Sequence, residues 1–362
     1  MKRISHILLY MCIAILAVAG LVSCDVHEFP DDGEQGGGET KEFVLLLDFT
    51  DALKWGFYTE IDYTQNRVPS MLPLRPADID VRYIVKAYRV DANGSVASEP
   101  SAVVMEAGTD TTNLNHTVTL QLAPGAYKFL VWTDYVEHGK LTNLYYDPSN
   151  FMEVTYCDRE GYTGNNDLRQ AFRGECDAVV HNSITEGVNT ATAFMQRPLA
   201  KYKFVSTDLE KFLAMVVVSR AGKNAPMSKT DLEVAMSKIN IADFKIRFIY
   251  TGFLPFSFNV WTNRPNDSWT GISFDSGMKV LSESDTELGH DMVLVNGHGS
   301  SVSVRLEVFD RDGTLLSSTN PIDVPIVRNK LTVVRGHFLT TSASGGIGVV
   351  TKFDGEYNYE VL

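Results

Sequence analysis

Residues 301–309 read S-V-S-V-R-L-E-V-F, and this stretch decides the fold class of the chain. Valine or leucine stands at every even position from 302 to 308, and serine, arginine or glutamate at the odd positions before 309. Successive side chains of a β-strand point to opposite faces, so this alternation puts one face on a core and the other in water. The stretch therefore predicts a strand of an antiparallel sheet.

The same alternation returns along the chain. Phe43–Phe49, Val118–Leu122 and Phe244–Tyr250 each carry large apolar side chains at every second position. Turn sequences separate such stretches, because Asp91–Gly94 and Asp310–Gly313 end in Asn-Gly and Asp-Gly, which tolerate the positive φ of a tight hairpin. Together these signals predict an all-β fold.

Helical signals are few. Thr207 and Glu210 have the Thr-x-x-Glu spacing of a capping box, while the run Met215–Val218 that follows fits a strand equally well. Ser228–Lys238 is a second helical candidate. We therefore expect one or two short helices beside the strands.

Two successive halves share one order of elements. Residues 42–197 and 198–345 each contain a strand, an Asp-x-(Asn/Asp)-Gly turn, another strand and a further tight hairpin. A glycine-rich linker then leads to a C-terminal strand segment at 346–362, which could pair with its own domain or with a neighbouring molecule. A chain of 362 residues is long enough for two domains, so we expect two tandem β-sandwiches.

The N-terminus carries an export signal. A short basic region precedes an apolar run over residues 7–22, which ends in the lipobox-like sequence Leu21–Cys24. The run is too short for a membrane span, so residues 1–23 are predicted to be a lipoprotein signal peptide. Cys24 would then carry acyl chains such as palmitate, which anchor the protein stably in a bilayer. The alternative is an ordinary signal peptide with an incidental cysteine.

The composition and charge of the chain indicate its location and the partners that it excludes. Residues 24–41 are rich in glycine and acidic side chains, which predicts a flexible tether. This acidic stretch also resembles the surface-export signal of some Gram-negative anaerobes, which implies an outer-membrane protein facing the cell exterior. The net charge of the whole chain is −13, which argues against nucleic acid as a partner.

Candidate chemical sites are sparse. Cys157 and Cys176 could form a disulfide in an oxidising compartment or remain free thiols. Trp261 and Trp269 flank a polar stretch and could form a platform for a sugar ring, or they could belong to the core. The histidines lack metal-ligand spacing, and neither a serine-hydrolase elbow nor a phosphate loop is present. We therefore expect no enzymatic activity, no metal and no cofactor.

Three segments together resemble a known family. Residues 122–134 (L-A-P-G-A-Y-K-F-L-V-W-T-D) are similar to the first-domain hairpin of the fimbrillin-type fimbrial subunits of Gram-negative anaerobes. Residues 195–201 resemble the entry into their second domain, and residues 321–336 resemble their late hairpin. The resemblance implies two transthyretin-like, Greek-key sandwiches and a structural role in fimbriae. The partners it implies are other fimbrial subunits, bound by strand exchange, and a host or glycan receptor for cell adhesion.

The same resemblance raises the question of N-terminal processing. Stalk subunits of this family lose an N-terminal segment to an arginine-specific protease, and a donor strand then fills the groove. The first arginine after Cys24 is Arg67, so a cut there would remove the predicted strand Phe43–Phe49. We therefore expect an unprocessed, lipid-anchored subunit of the anchor or accessory type. The rival hypothesis is a surface glycan-binding lipoprotein that uses Trp261 or Trp269.

Overall fold

The computed structural model describes most of the chain that follows the predicted tether. The described residues are 39–54, 79–182, 189–221, 228–297, 299–340, 347–351 and 356–361. The signal peptide, Cys24 and Arg67 lie outside them, so what the sequence predicts for these residues stays a prediction.

Strands dominate the described residues. The strands before residue 198 are β1 (Lys41–Asp48), β2 (Ile79–Val90), β3 (Ala102–Gly108), β4 (His116–Leu122), β5 (Gly125–Glu137), β6 (Tyr146–Asp147), β7 (Val154–Tyr156), β8 (Ala171–Val180) and β9 (Asn189–Gln196). Those after it are β10 (Leu199–Ser206), β11 (Lys245–Tyr250), β12 (Leu254–Asn259), β13 (Arg264–Trp269), β14 (Ser273–Ser276), β15 (Lys279–Val280), β16 (Thr286–Leu294), β17 (Ser300–Phe309), β18 (Leu315–Ser318), β19 (Ile322–Ile326), β20 (Leu331–Gly336), β21 (Ile347–Thr351) and β22 (Glu356–Val361). The predicted all-β fold is confirmed.

The helices are short. They are α1 (Thr50–Lys54), α2 (Leu209–Ala221) and α3 (Lys229–Met236), followed by a 3-10 turn at Ile241–Asp243. The ambiguous run Met215–Val218 lies inside α2 and is helical. Ser228 caps α3, because its hydroxyl accepts a hydrogen bond from the backbone N–H of Asp231 at 3.1 Å.

Seven of the nine described strands before residue 198, all except β6 and β7, form one sheet that curls on itself. Its order is β3-β2-β5-β8-β9-β1-β4. The two end strands meet, since His116 Nε2 of β4 lies 2.6 Å from Glu106 Oε1 of β3, and the ring of Tyr83 stacks on His116 at 4.1 Å. The inward side chains fill the closed sheet with a core of their own.

The described strands after residue 198, except β12 and β13, form two sheets packed face to face. One has the order β15-β16-β10-β20-β22-β21, and the other has the order β14-β11-β17-β18, with β19 also paired to β17. Phe204 of the first sheet meets Phe248 of the second, with ring centroids 5.7 Å apart. This is a β-sandwich core built from the inward residues of alternating strands.

A small fourth sheet joins the two halves. Its order is β13-β12-β7-β6, so β7 pairs with β12 across the predicted boundary at residues 197 and 198. The strands β6 and β7 belong to the segment 138–170, and Tyr156 of β7 is buried in the same core as the sandwich. The predicted division into two domains stays a prediction, but the described part of the chain after residue 40 clusters as one unit.

A buried ion pair fixes the start of this joining segment. Arg82 of β2 and Asp134 of β5 make two parallel hydrogen bonds of 2.8 and 2.7 Å, and their side chains are at most 1% exposed. The Arg82 guanidinium also donates to the carbonyls of Leu141 and Tyr146, at 2.9 and 3.2 Å. Burial raises the pKa of Asp134, although Arg82 acts in the opposite direction.

The end of the segment is held by a second buried cluster. The Arg169 guanidinium lies between the rings of Tyr156 and Tyr162, 4.3 Å from each centroid. Tyr162 and Tyr250 donate hydrogen bonds to Asp291 Oδ2 at 2.8 and 2.6 Å. Because Tyr250 and Asp291 lie in the sandwich, this cluster ties segment 138–170 to the C-terminal half.

A histidine with acidic neighbours lies beside that cluster. His290 of β16 has Nδ1 3.2 Å from Glu287 Oε1 and Nε2 3.3 Å from Asp167 Oδ1. Lys201 of β10 approaches the same Asp167 oxygen at 2.6 Å. Burial lowers the pKa of His290, but the two carboxylates outweigh burial and the pKa is raised from its ordinary value.

We expect the substitution His290→Gln to lower stability in a pH-dependent way. Because the pKa of folded His290 is raised, its stabilising effect is complete below the unfolded pKa of about 6.5 and is lost as the pH rises through the folded pKa. The difference in the free energy of unfolding between wild type and variant should therefore be larger at about pH 6 than at about pH 9. Urea unfolding measures it, with exposed His337→Gln as the control; an equal difference at both pH values would contradict the prediction.

Candidate strand-exchange site

The strand β1 is inserted between two strands to which no tight hairpin connects it. It runs antiparallel to β4, with Leu45 opposite Val118, and parallel to β9, with Leu45 opposite Ala191. Hydrogen bonds on both edges and side-chain packing therefore hold β1 in the closed sheet. Any extended segment with the same pattern of side chains could in principle occupy this slot.

The side chains of β1 that point inward lie at the centre of the core, together with Phe49, the residue directly after the strand. Four of them are fully buried: Phe43, Leu45, Leu47 and Phe49. The ring of Phe43 stacks on Phe129 at 4.8 Å, and Phe49 meets Phe172 edge-on at 5.1 Å. Burying such a side chain contributes about 1.5–3 kcal/mol, so the four together contribute roughly 6–12 kcal/mol. That is comparable to the whole stability of a typical domain, about 5–15 kcal/mol.

The downstream end of the slot is closed by contacts with both halves of the chain. The backbone N–H of Phe49 donates to Asn115 Oδ1 at 2.8 Å. In α1, the carbonyl of Ala52 accepts a hydrogen bond from Nη1 of Arg197, which also donates to Asn329 Oδ1 at 2.9 Å. Burial lowers the pKa of Arg197 to about 10. The chain therefore leaves β1 through the short helix α1, which a hydrogen bond from Arg197 holds at the junction of the two halves.

The acceptor strand β9 was not found from the sequence. Ala193 and Met195 point inward, while Phe194 on the outer face is 63% exposed. Inward and outward residues do alternate along β9. However, the small alanine points inward and the large apolar phenylalanine points outward, which is the reverse of the usual pattern. The parallel pairing of β9 with β1 also joins residues far apart in sequence, which no local pattern can reveal.

The C-terminal segment pairs with its own domain in this structure. The strands β21 and β22 form an antiparallel hairpin, and β22 runs parallel to β20 with Val333 opposite Asn358. The sequence left open whether this segment pairs with its own domain or with a neighbouring molecule; here it pairs within the chain. The hairpin adds two strands to one side of the larger sheet, and β21 is the outermost of them.

The two candidate disulfide cysteines are free in the structure. Cys157 follows β7 in the small sheet, whereas Cys176 lies in β8 of the closed sheet, opposite Phe129. Burial raises the pKa of Cys157 to about 11 and that of Cys176 to about 12. The bridge considered from the sequence is therefore not formed here, and both groups stay protonated thiols near neutral pH.

The two candidate sugar-platform tryptophans lie in or beside the sandwich core. Phe256 stacks on Trp269 at 4.4 Å, the Arg159 guanidinium lies 5.6 Å from the same ring, and Trp269 is only 7% exposed. It offers no open face to a sugar. Trp261 is partly buried and meets Tyr88 edge-on at 4.5 Å. The sequence left open whether these residues form a sugar platform or belong to the core; the structure places Trp269 in the core.

Neither metal ligands nor a membrane helix appear in the described part of the chain. There, no group of three or more His, Cys, Asp or Glu side chains is placed to hold a metal ion. Within the same residues, none of the helices has the length and apolar character needed to cross a bilayer.

The curled sheet, the sandwich and the inserted β1 define an all-β protein that depends on strand pairing between distant parts of the chain. The chain belongs to a family of unknown function, DUF6562, whose model matches residues 51–361. Among curated proteins none matches it in sequence.

Solved structures with a similar course of the chain include fimbrial and adhesion proteins. A protein classed with cell adhesion, from Bacteroides eggerthii, is 13% identical, with 91% of this chain and 100% of that chain covered and a TM-score of 0.40. A fimbrial assembly protein from Parabacteroides distasonis is 11% identical, with 88% and 98% covered and a TM-score of 0.37. The fimbrial anchor protein Mfa2 from Porphyromonas gingivalis is 10% identical, with 76% and 81% covered and a TM-score of 0.34.

Proposed function

We propose that this protein is a lipid-anchored structural subunit of cell-surface fimbriae, of the anchor or accessory type, which assembles by β-strand addition. The observation that carries the proposal is the slot between β4 and β9. It holds one extended strand that no hairpin joins to either neighbour, which is an arrangement that strand exchange can use. The proposal assigns the protein no catalytic activity.

The occupied slot favours the anchor or accessory type over a processed stalk subunit. The four buried side chains from Phe43 to Phe49 belong to the chain itself, so the unprocessed protein needs no donor to complete its first core. A cut at Arg67 would free the segment that contains them. A subunit that keeps its N-terminus also keeps Cys24, and with it the means to hold a filament at the outer membrane.

The lipid is tested by one substitution. We expect Cys24→Ala to abolish incorporation of a fatty-acid analogue and to release the protein from the outer membrane, because this thiol is the predicted acyl acceptor. Cys12→Ala, within the apolar run of the signal peptide, is the matched control and should leave labelling intact. Globomycin should block processing of the wild type. Equal labelling of the two variants would refute the assignment of Cys24.

Assembly is tested on intact cells. We expect affinity capture of the surface-exposed protein to bring down filament subunits, and deletion of its gene to change the number or attachment of fimbriae. A protein that stays monomeric, captures no filament subunit and leaves fimbriae unchanged when deleted would overturn the proposed function. Capture of polysaccharide instead would favour the glycan-binding hypothesis.

A further inference from the structure

A basic cavity lies where the two halves of the chain meet. It measures about 410 Å³, within the range of roughly 300–1,000 Å³ that is typical of ligand sites. The first half contributes α1 and the end of β9, and the second half contributes the turn between β19 and β20. Three of the lining side chains are cations, Arg197, Arg328 and Lys330, and one is a carboxylate, Asp51. This basic character is local, since the whole chain carries a net charge of −13.

Arg328 has no acidic partner among the described residues. Its guanidinium donates to three neutral acceptors, which are Asn263 Oδ1 at 2.7 Å, the Asn263 carbonyl at 3.0 Å and the Val295 carbonyl at 2.9 Å. Its Nε is buried and has no hydrogen-bond partner within the same residues. Burial and the nearby cation Arg173 lower the pKa of Arg328 to about 10. An anion in the cavity would offset this charge, which the protein leaves uncompensated.

Arg197 adds a second charge, and the protein holds it in a fixed orientation. Its guanidinium donates to the carbonyl of Ala52, to Asn329 Oδ1 at 2.9 Å and to Gln170 Oε1 at 2.9 and 3.2 Å. These acceptors are neutral, so they orient the group without cancelling its charge. Arg197 therefore acts on a ligand mainly through its charge. The Lys330 ammonium, which has three donors on a flexible stem, can also donate hydrogen bonds.

The other lining groups favour an organic carboxylate over a phosphate. The Asp51 carboxylate opposes a multiply charged anion, because like charges repel more strongly in a partly buried site than in water. The lining also includes the apolar side chains of Ala52 and Met195 and the amide of Gln196. A carbon skeleton can pack on the apolar groups, and the amide can bond with hydroxyls. The ligand that fits carries one carboxylate on a small carbon skeleton.

We propose that this cavity binds a small organic molecule through a single carboxylate group. Lys330 donates to the carboxylate, while Arg197 from the first half and Arg328 from the second half stabilise its charge. A bound anion would therefore strengthen the junction of the halves. This inference goes beyond the proposed structural role and does not depend on it. A sugar acid and a free carboxylic acid share the same chemistry, so the test includes both.

Ligand binding to the full mature chain tests the cavity by titration calorimetry. The probes are glucuronate, hexanoate, glucose and inorganic phosphate, and glucose is the matched control for glucuronate because it lacks the carboxylate. We expect at least one of the two carboxylates to bind at least about tenfold more tightly than glucose and phosphate. The same carboxylate should raise the melting temperature, since it binds the folded protein. Tighter binding of glucuronate identifies a sugar acid as the source, and tighter binding of hexanoate identifies an aliphatic acid.

Charge substitutions with opposite expected effects locate the binding. Lys330→Gln should weaken carboxylate binding roughly threefold to tenfold, because it removes a cation from the lining. Asp51→Asn should tighten it by a similar factor, because it removes the like charge. The matched control is Lys229→Gln, a lysine of α3 that is 91% exposed and does not line the cavity. An impaired fold cannot explain a gain of affinity, so the two variants separate binding from stability.

Several results would overturn the site. They are the absence of binding by both carboxylates, binding of glucose as tight as that of the better carboxylate, and equal affinities of wild type, Lys330→Gln and Asp51→Asn. Phosphate that binds more tightly than both carboxylates would contradict the ligand class. The capture of filament subunits from cells is measured separately, so failure of this site leaves the proposed function standing.

Discussion

A mature chain that lacks β1 is expected to remain largely unfolded, and a peptide supplied in trans is expected to restore it. Deleting residues 24–49 removes the four fully buried side chains that β1 and Phe49 place in the first core. Their loss of roughly 6–12 kcal/mol equals or exceeds the margin by which a typical domain is stable. The backbone edges of β4 and β9 would also lose their partner.

The rescue distinguishes a replaceable strand from a merely essential one. A peptide covering residues 40–49 should restore the far-ultraviolet circular dichroism and a cooperative thermal transition, because the slot needs a strand and not a covalent connection. The control peptide carries serine in place of Phe43 and Leu45, and it should fail because it cannot fill the core. A truncated chain that melts like the wild type without any peptide would contradict the assignment of this slot.

The second large effect is expected from the buried pair of Arg82 and Asp134. Arg82→Ala should lower the free energy of unfolding by about 3–5 kcal/mol, since it leaves the Asp134 carboxylate buried without its charge partner. It also removes the hydrogen bonds that hold the carbonyls of Leu141 and Tyr146. Chemical denaturation of the full mature chain measures the loss.

The chain offers a geometrically matched control for this effect. Arg247 and Asp275 also form two parallel hydrogen bonds, of 2.8 and 3.2 Å, but their side chains are 37% and 42% exposed. Arg247→Ala should therefore cost no more than about 1 kcal/mol, because water screens the exposed pair. Equal losses in the two variants would show that burial does not decide the energetics of the Arg82 pair.

Much of the fold was accessible from the sequence wherever alternation was strong. The pattern of Val302–Phe309 predicted β17, and Phe43–Phe49 predicted β1, because large apolar and polar residues take turns along both. The run Met215–Val218 was ambiguous, since four consecutive apolar residues have neither a helical nor a strand period. Its neighbours in α2 and the packing of Phe212 against Phe244 make it helical.

The joining segment shows where such reasoning stops. The strands β6 and β7 contain two and three residues, too few to display any period. Arg82 lies at a strand position that a sequence pattern assigns to solvent, yet it is almost fully buried because segment 138–170 covers that face of the sheet. The same limit applies to the candidate site. Its strand β1 has a strong alternation and was predicted, whereas its parallel partner β9 was found only in the structure.

The position of β1 also determines how the protein would respond to mechanical force. If the N-terminus is attached to a membrane, tension on the molecule enters at Lys41 and runs along the axis of β1. The hydrogen bonds on both edges of that strand, to β4 and to β9, are then loaded in shear and share the force. They do not break one after another. The strand that completes the first core would thus be the mechanical clamp through which an anchored molecule resists being pulled from its surface.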